Sequence, residues 1–174
     1  MRRRLKILLP VLIGLMASLP LALAIIFAVD GDGDGDLDAY LVQSGSLYDL
    51  EAGREQPANR LYVNQGDGWF EEAKDAHGAD DRGYGMGVAV GDYDNDGDLD
   101  LVLVGEATSG RILHIYRNQP GSLERVPINL EGNVLVGVDF AAVTWVDYDG
   151  DGDLDLVSSG RTSTNFLPTS RIND

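Results

Sequence analysis

No cysteine occurs in the 174-residue chain, histidine occurs only twice, and positive charge is scarce: 13 Lys and Arg stand against 29 Asp and Glu, a formal charge of −16. The missing cysteines exclude disulfide staples. The shortage of Lys and Arg argues against a nucleic-acid partner, which a basic patch would announce. His77 and His114 sit far apart with no cysteine, serine or clustered acid pattern beside them, so a strand or surface position suits both better than catalysis. There is also no nucleophile elbow, no phosphate loop and no separate pair of catalytic carboxylates. A protein that is not an enzyme is expected. The two tryptophans, Trp69 and Trp145, can stack on sugars, but Trp145 lies on an apolar run and is expected in the core.

What the chain has in excess is aspartate at every second position. The stretch GDYDNDGDLDLVLVG (91–105) holds Asp92, Asp94, Asp96, Asp98 and Asp100 and then runs into an apolar strand. Carboxylates this close repel one another unless a cation offsets the charge. An all-oxygen set with no Cys or His favours a hard ion with many ligands, hence calcium over zinc, copper or magnesium. Asp92, Asp94 and Asp96 supply side chains at positions 1, 3 and 5. Gly97 at position 6 permits the sharp turn, Asp98 at position 7 offers its backbone carbonyl, and Asp100 at position 9 closes the site.

The same offsets recur twice. Asp30, Asp32, Asp34, Asp36 and Asp38 surround Gly35, and Asp147, Asp149, Asp151, Asp153 and Asp155 surround Gly152. An Asx-rich turn that binds nothing has no reason to repeat the glycine together with the ligand offsets. About three calcium ions, one per loop, are expected. An EF-hand is excluded, because its position 12 needs Glu and here holds Leu41, Leu103 and Ser158. The flanks MGVAV, LVLVG and AAVTWV read as buried strands, so each loop joins two strands. The nonapeptide calcium β-helix repeats far more often than these loops do.

First loop aspartates fall at 30, 92 and 147, the spacing of a four-stranded propeller blade. After each loop a similar segment returns: NRLYVNQGDGWF (59–70), RILHIYRNQPGSL (111–123) and, at the end, SRIND (170–174), with Tyr62, Tyr116 and Ile172 in corresponding places. The unit reads strand, loop, strand, connector, third strand, Gly-containing turn, fourth strand. Glu71, Glu72, Asp75, Asp80 and Asp81 read as an acidic, solvated connector.

The segments NRLYVNQGDGWFEEA and GYGMGVAVGDYDNDGDLDLVLVG resemble the FG-GAP/VCBS repeats of integrin-α-like β-propellers, and in particular those of the bacterial ASPIC/UnbV and cartilage-acidic-protein group. The resemblance covers about residues 25–174. It implies loops between the first two strands of each blade, with calcium held by side chains at positions 1, 3, 5 and 9 and by the position 7 carbonyl. No Phe-Gly and Gly-Ala-Pro pair precedes the loops, and nothing resembles an ASPIC/UnbV or EGF module.

At the N-terminus MRRRLK is a basic region, Ile7 to Leu21 is apolar but broken by Pro10, Gly14 and Pro20, and Ala22-Leu23-Ala24 is an A-x-A site. Together these have the form of a secretory signal peptide. The rival is an uncleaved membrane anchor, since residues 7–29 carry no charge. Residues 25–29, however, fill the place of a first strand. Cleavage after Ala24 removes Arg2, Arg3, Arg4 and Lys6 and moves the formal charge from −16 to −20.

The expected fold is all-β: a partial β-propeller of about three four-stranded blades (25–82, 83–136 and 137–174, the third incomplete) after a signal helix over 1–24. The expected function is that of an exported calcium-binding scaffold for adhesion to a protein or glycan ligand, secreted or in the cell envelope. Further blades or other copies are expected to complete it. The alternative is a fragment of a secreted propeller enzyme acting on polysaccharide.

Overall fold

The computed structural model describes residues 4–6, 26–66, 68–127, 139–161 and 166–170. The predicted leader beyond Lys6 and the expected third-strand ending at Ile172 lie outside the described residues.

Three antiparallel sheets follow one another along the chain. The first contains β1 (Arg4–Lys6), β2 (Ile26–Val29), β3 (Asp38–Leu41), β4 (Arg60–Asn64) and β5 (Trp69–Glu72) in the order β1-β5-β4-β3-β2. The second is the meander β6 (Tyr84–Gly91), β7 (Asp100–Ala107), β8 (Gly110–Gln119) and β9 (Ser122–Val126). The third is β10 (Asp139–Val146), β11 (Asp155–Arg161) and β12 (Phe166–Ser170). The predicted unit of strand, aspartate loop, strand, third strand and fourth strand is therefore present twice in full, and a third time with three strands among the described residues. β1 adds a fifth, outer strand to the first sheet, with Arg4 opposite Glu71 and Lys6 opposite Trp69.

The sheets stack face to face as propeller blades do: β2 packs against β6, and β10 against β6 and β7. Alternation along β7 explains the stacking. Leu101 and Leu103 point into a core shared with the first sheet, beside Tyr40, Leu61 and Val88, while Val102 and Val104 point into one shared with the third, beside Leu156 and Trp145. A strand buried on both faces reads as continuous Val and Leu, and DLVLV does.

Two connectors depart from the plain loops expected. Residues between β3 and β4 include a short helix, α1 (Leu47–Glu51), whose N-cap Ser46 accepts from the Asp49 N–H. Between β5 and β6, Lys74–Gly78 forms a turn in which Asp75, Ala76 and His77 all have left-handed backbone (φ 51°, 45° and 54°). Asp and His are among the non-glycine residues that tolerate this region best, and Ala76 between them is buried with Ala79 in the first core. No helix among the described residues is long and apolar enough to cross a membrane.

Candidate metal centre

The aspartate loops connect β2 to β3, β6 to β7 and β10 to β11, and all three share one backbone skeleton. The position 1 aspartate turns inward and caps the loop's own N–H groups: Asp30 accepts from Gly33 at 2.8 Å, Asp34 at 3.1 Å and Gly35 at 2.9 Å. Asp92 accepts from Asp96 at 3.1 Å and Gly97 at 3.0 Å, and Asp147 from Gly150 at 2.7 Å. The position 5 aspartates Asp34, Asp96 and Asp151 accept from the position 7 N–H at 2.9, 3.0 and 3.0 Å. Position 6 is left-handed in every copy, as expected of Gly35, Gly97 and Gly152. So is position 4, where Gly33, Asn95 and Gly150 stand. That second requirement is visible in the sequence once sought, because Asn is the residue after Gly that best tolerates this region.

Position 9 has a distinct role. Asp38 is almost wholly buried and accepts from Gly31 N–H at 2.8 Å and Asn64 N–H at 2.7 Å. Asp100 accepts from Tyr93 N–H at 3.1 Å and Asn118 N–H at 2.8 Å, and Asp155 from Tyr148 N–H at 3.0 Å. Asp38 and Asp100 thereby staple their loops to the third strand of the unit. Burial pushes the carboxyls of Asp38 and Asp100 up to about 6, against the lowering effect of those N–H donors. Burial, followed by the neighbouring charges of Asp34 and Asp96, likewise raises Asp32 and Asp94. Carboxylates pressed together and partly desolvated are in the state that a bound cation relieves.

Three groups converge closely enough to hold a metal ion, with one ligand atom from each member lying within 4.8 Å of the others: Asp30, Asp32 and Asp38; Asp92, Asp94 and Asp96; Asp147, Asp149 and Asp151. Asp34 and the position 7 aspartates Asp36, Asp98 and Asp153 stand outside these groups, as do Asp100 and Asp155. Asp153 instead accepts from Asn95 Nδ2 at 2.7 Å, tying the second loop to the third. The donor chemistry fits a hard cation, since every converging atom is a carboxylate oxygen. The second loop supplies a sharper sign, for Asp94 Oδ1 is buried with no hydrogen-bond partner. An orphaned anionic oxygen at that place costs free energy that a metal–oxygen contact offsets.

Two sets of contacts around the loops escaped the sequence. Asn118 Nδ2 donates to the Asp30 carbonyl at 2.6 Å, so the second sheet braces the first loop, and His77 Nδ1 meets the Gly31 carbonyl at 3.1 Å. Asp81 is no solvated connector residue. It takes His114 Nδ1 at 3.0 Å and the Tyr116 hydroxyl, and His114 Nε2 lies 2.6 Å from Arg125 Nη2. Because a guanidinium only donates, neutral His114 carries its proton on Nδ1 and accepts at Nε2. The expectation of a solvated patch fails at Asp81 because its partners lie 33 and 35 residues away. It fails at Glu71 and Glu72 because both belong to β5 and are half-buried.

The sequence profile of the FG-GAP-like repeat family matches residues 30–103 and again 97–158. No curated protein matches the chain.

Proposed function

The chain belongs to the FG-GAP-like repeat family, and from that premise we propose that it is an exported, calcium-loaded propeller segment that serves as an adhesion or ligand-binding scaffold rather than as an enzyme. The observation that carries the calcium reading is the convergence of carboxylate oxygens in three loops of one geometry, with the unpartnered Asp94 Oδ1 in the second. Side chains at positions 1, 3 and 5 would hold the ion in the second and third loops, and Asp30, Asp32 and Asp38 in the first. Bound calcium supplies positive charge between the carboxylates and fixes the hairpin that each loop closes. The faces of the stacked sheets then present their connectors rigidly to a protein or glycan. Export rests on the leader with its A-x-A site, and further blades or a second copy would cover the outer faces.

Calorimetric titration of EDTA-stripped protein tests the reading. About three calcium ions should bind with dissociation constants on the order of 0.1–1 mM, as in extracellular modules. Each site should add about 1.4 kcal/mol of stability at tenfold excess over its dissociation constant. Asp96→Ala should remove one ion and leave the others. Absence of calcium heat, with a melting temperature indifferent to EDTA, would sink the proposal.

A further inference from the structure

Val63 and Arg117 hold the same place in two sheets. Each follows a tyrosine whose partner is the first residue after the loop, Tyr62 opposite Ala39 and Tyr116 opposite Leu101. Each stands opposite a glutamate of the next strand, Glu71 of β5 or Glu124 of β9. The residue types differ, and so does what the position 3 aspartate meets. In the first sheet Val63 is buried and lines a cleft of about 660 Å³ together with Asp32. The nearby His77 spends its Nδ1 on a backbone carbonyl. In the second sheet the Arg117 guanidinium stands between two carboxylates, with Nη1 3.8 Å from Asp94 Oδ2 and Nη2 3.6 Å from Glu124 Oε2.

We propose that Arg117 is a built-in counter-ion of the second loop, which weakens cation binding there and makes this loop release its ion before the first as calcium falls. The inference rests on the calcium reading above. A fixed guanidinium repels a divalent ion seated between Asp92, Asp94 and Asp96, and it offsets part of the carboxylate repulsion when the ion has left. Both effects act on the same balance, lowering affinity and lessening the change in the loop on release. The buried Arg117 Nε, which has no hydrogen-bond partner, marks a side chain held by charge and packing rather than by a full set of donors. Glu124 restrains it by drawing the other end of the fork away from the loop.

The amides of Gly35 and Gly97 each donate to the position 1 aspartate of their own loop, at 2.9 and 3.0 Å, and so report the two loops separately. The experiment titrates calcium chloride into EDTA-stripped, ¹⁵N-labelled full chain and follows those two resonances in the native protein, Arg117→Val and Glu124→Gln. The expected native result is a Gly97 midpoint at higher calcium than that of Gly35. Arg117→Val should bring the Gly97 midpoint down on the order of tenfold, the effect of one partly screened charge at this range, and leave Gly35 in place. Glu124→Gln should move Gly97 the other way. A Gly97 midpoint unchanged in Arg117→Val, or an equal movement of both glycines, overturns the proposal. If neither glycine responds to calcium in the native protein, the calcium reading itself falls, a failure distinct from that of the Arg117 assignment.

Discussion

In the second sheet, β7 turns its side chains alternately toward two neighbours, and Leu101, Val102, Leu103 and Val104 are all at most 1% exposed. β11 of the third sheet begins with the same letters after its loop, Asp-Leu-Val, and meets a neighbour on one face only among the described residues. Leu156 is buried against the second sheet and Ser158 is buried, whereas Val157 is partly exposed and Ser159 is exposed. The valine that the two strands share thus differs in burial, Val102 enclosed and Val157 partly exposed, because of what stands beside it. In stacked blades the hydrophobic contribution belongs to the interface between repeats, and a middle repeat has two such interfaces.

The largest test of this contrast removes a side chain from the doubly covered strand. Leu103→Ala should cost about 3 kcal/mol in urea unfolding, the usual penalty for a truncated and fully buried leucine, whereas Val157→Ala should cost under about 1 kcal/mol. Similar losses at the two positions would mean that the third sheet is covered on both faces in solution.

A smaller effect is expected at the anchor that Asp81 makes with the second sheet. His114 stands opposite Leu103, and the residue in the corresponding place of the third sheet, opposite Ser158, is Ser170. Burial tends to raise the Asp81 carboxyl, but hydrogen bonds from His114 and Tyr116 outweigh it and hold Asp81 below its ordinary value. A carboxyl depressed by folding contributes stability above its unfolded pKa, near 3.9, and loses it as pH falls through the lower folded value. Asp81→Asn should therefore cost about 2 kcal/mol at neutral pH, with the deficit shrinking below about pH 4. A deficit equal at pH 7 and pH 3, read from paired melts, would show that the charge is not what matters.

The smallest test should stabilise. Ser158 occupies the place of Leu103, and its Oγ is buried without a partner. Ser158→Ala should raise stability by about 1 kcal/mol, because it removes an unpaired hydroxyl and adds no volume. A loss in the same melts would reveal a hydrogen bond, direct or through water, at that hydroxyl.

Much of the architecture was legible because it repeats. The aspartate offsets, the glycine at position 6 and the LVLV-type runs are local patterns with a fixed period, and the loops, their flanking strands and the blade order follow from them. The propeller-like stacking is readable in β7, where uninterrupted Val and Leu announce two buried faces. Trp145 packs, partly buried, against the second core, stacked on Tyr93 with ring centres 5.6 Å apart, and Gly91 lacks the side chain that would push that ring away. What stayed hidden depends on partners distant in sequence or on singular residues. The Asp81 and His114 pair, the Asn118 brace and the Arg117 contact occur once each among the described residues, so no period reveals them. The left-handed turn at Asp75–His77 suits Asp and His but not the Ala76 between them, and Ala76 and Ala79 are buried in a core whose other members lie far along the chain.

The Asn118 brace also sets an order of events in time. The hydrogen bond from its Nδ2 to the Asp30 carbonyl spans 88 residues. A chain made from its N-terminus at about 5–20 residues per second exposes the first loop roughly 4–18 s before the residue that braces it exists. For that interval the first blade has its aspartates but not their outer support, and only the arrival of the third strand of the next blade completes them. The first blade therefore matures only with part of the second, and the pair of them is the unit that synthesis completes.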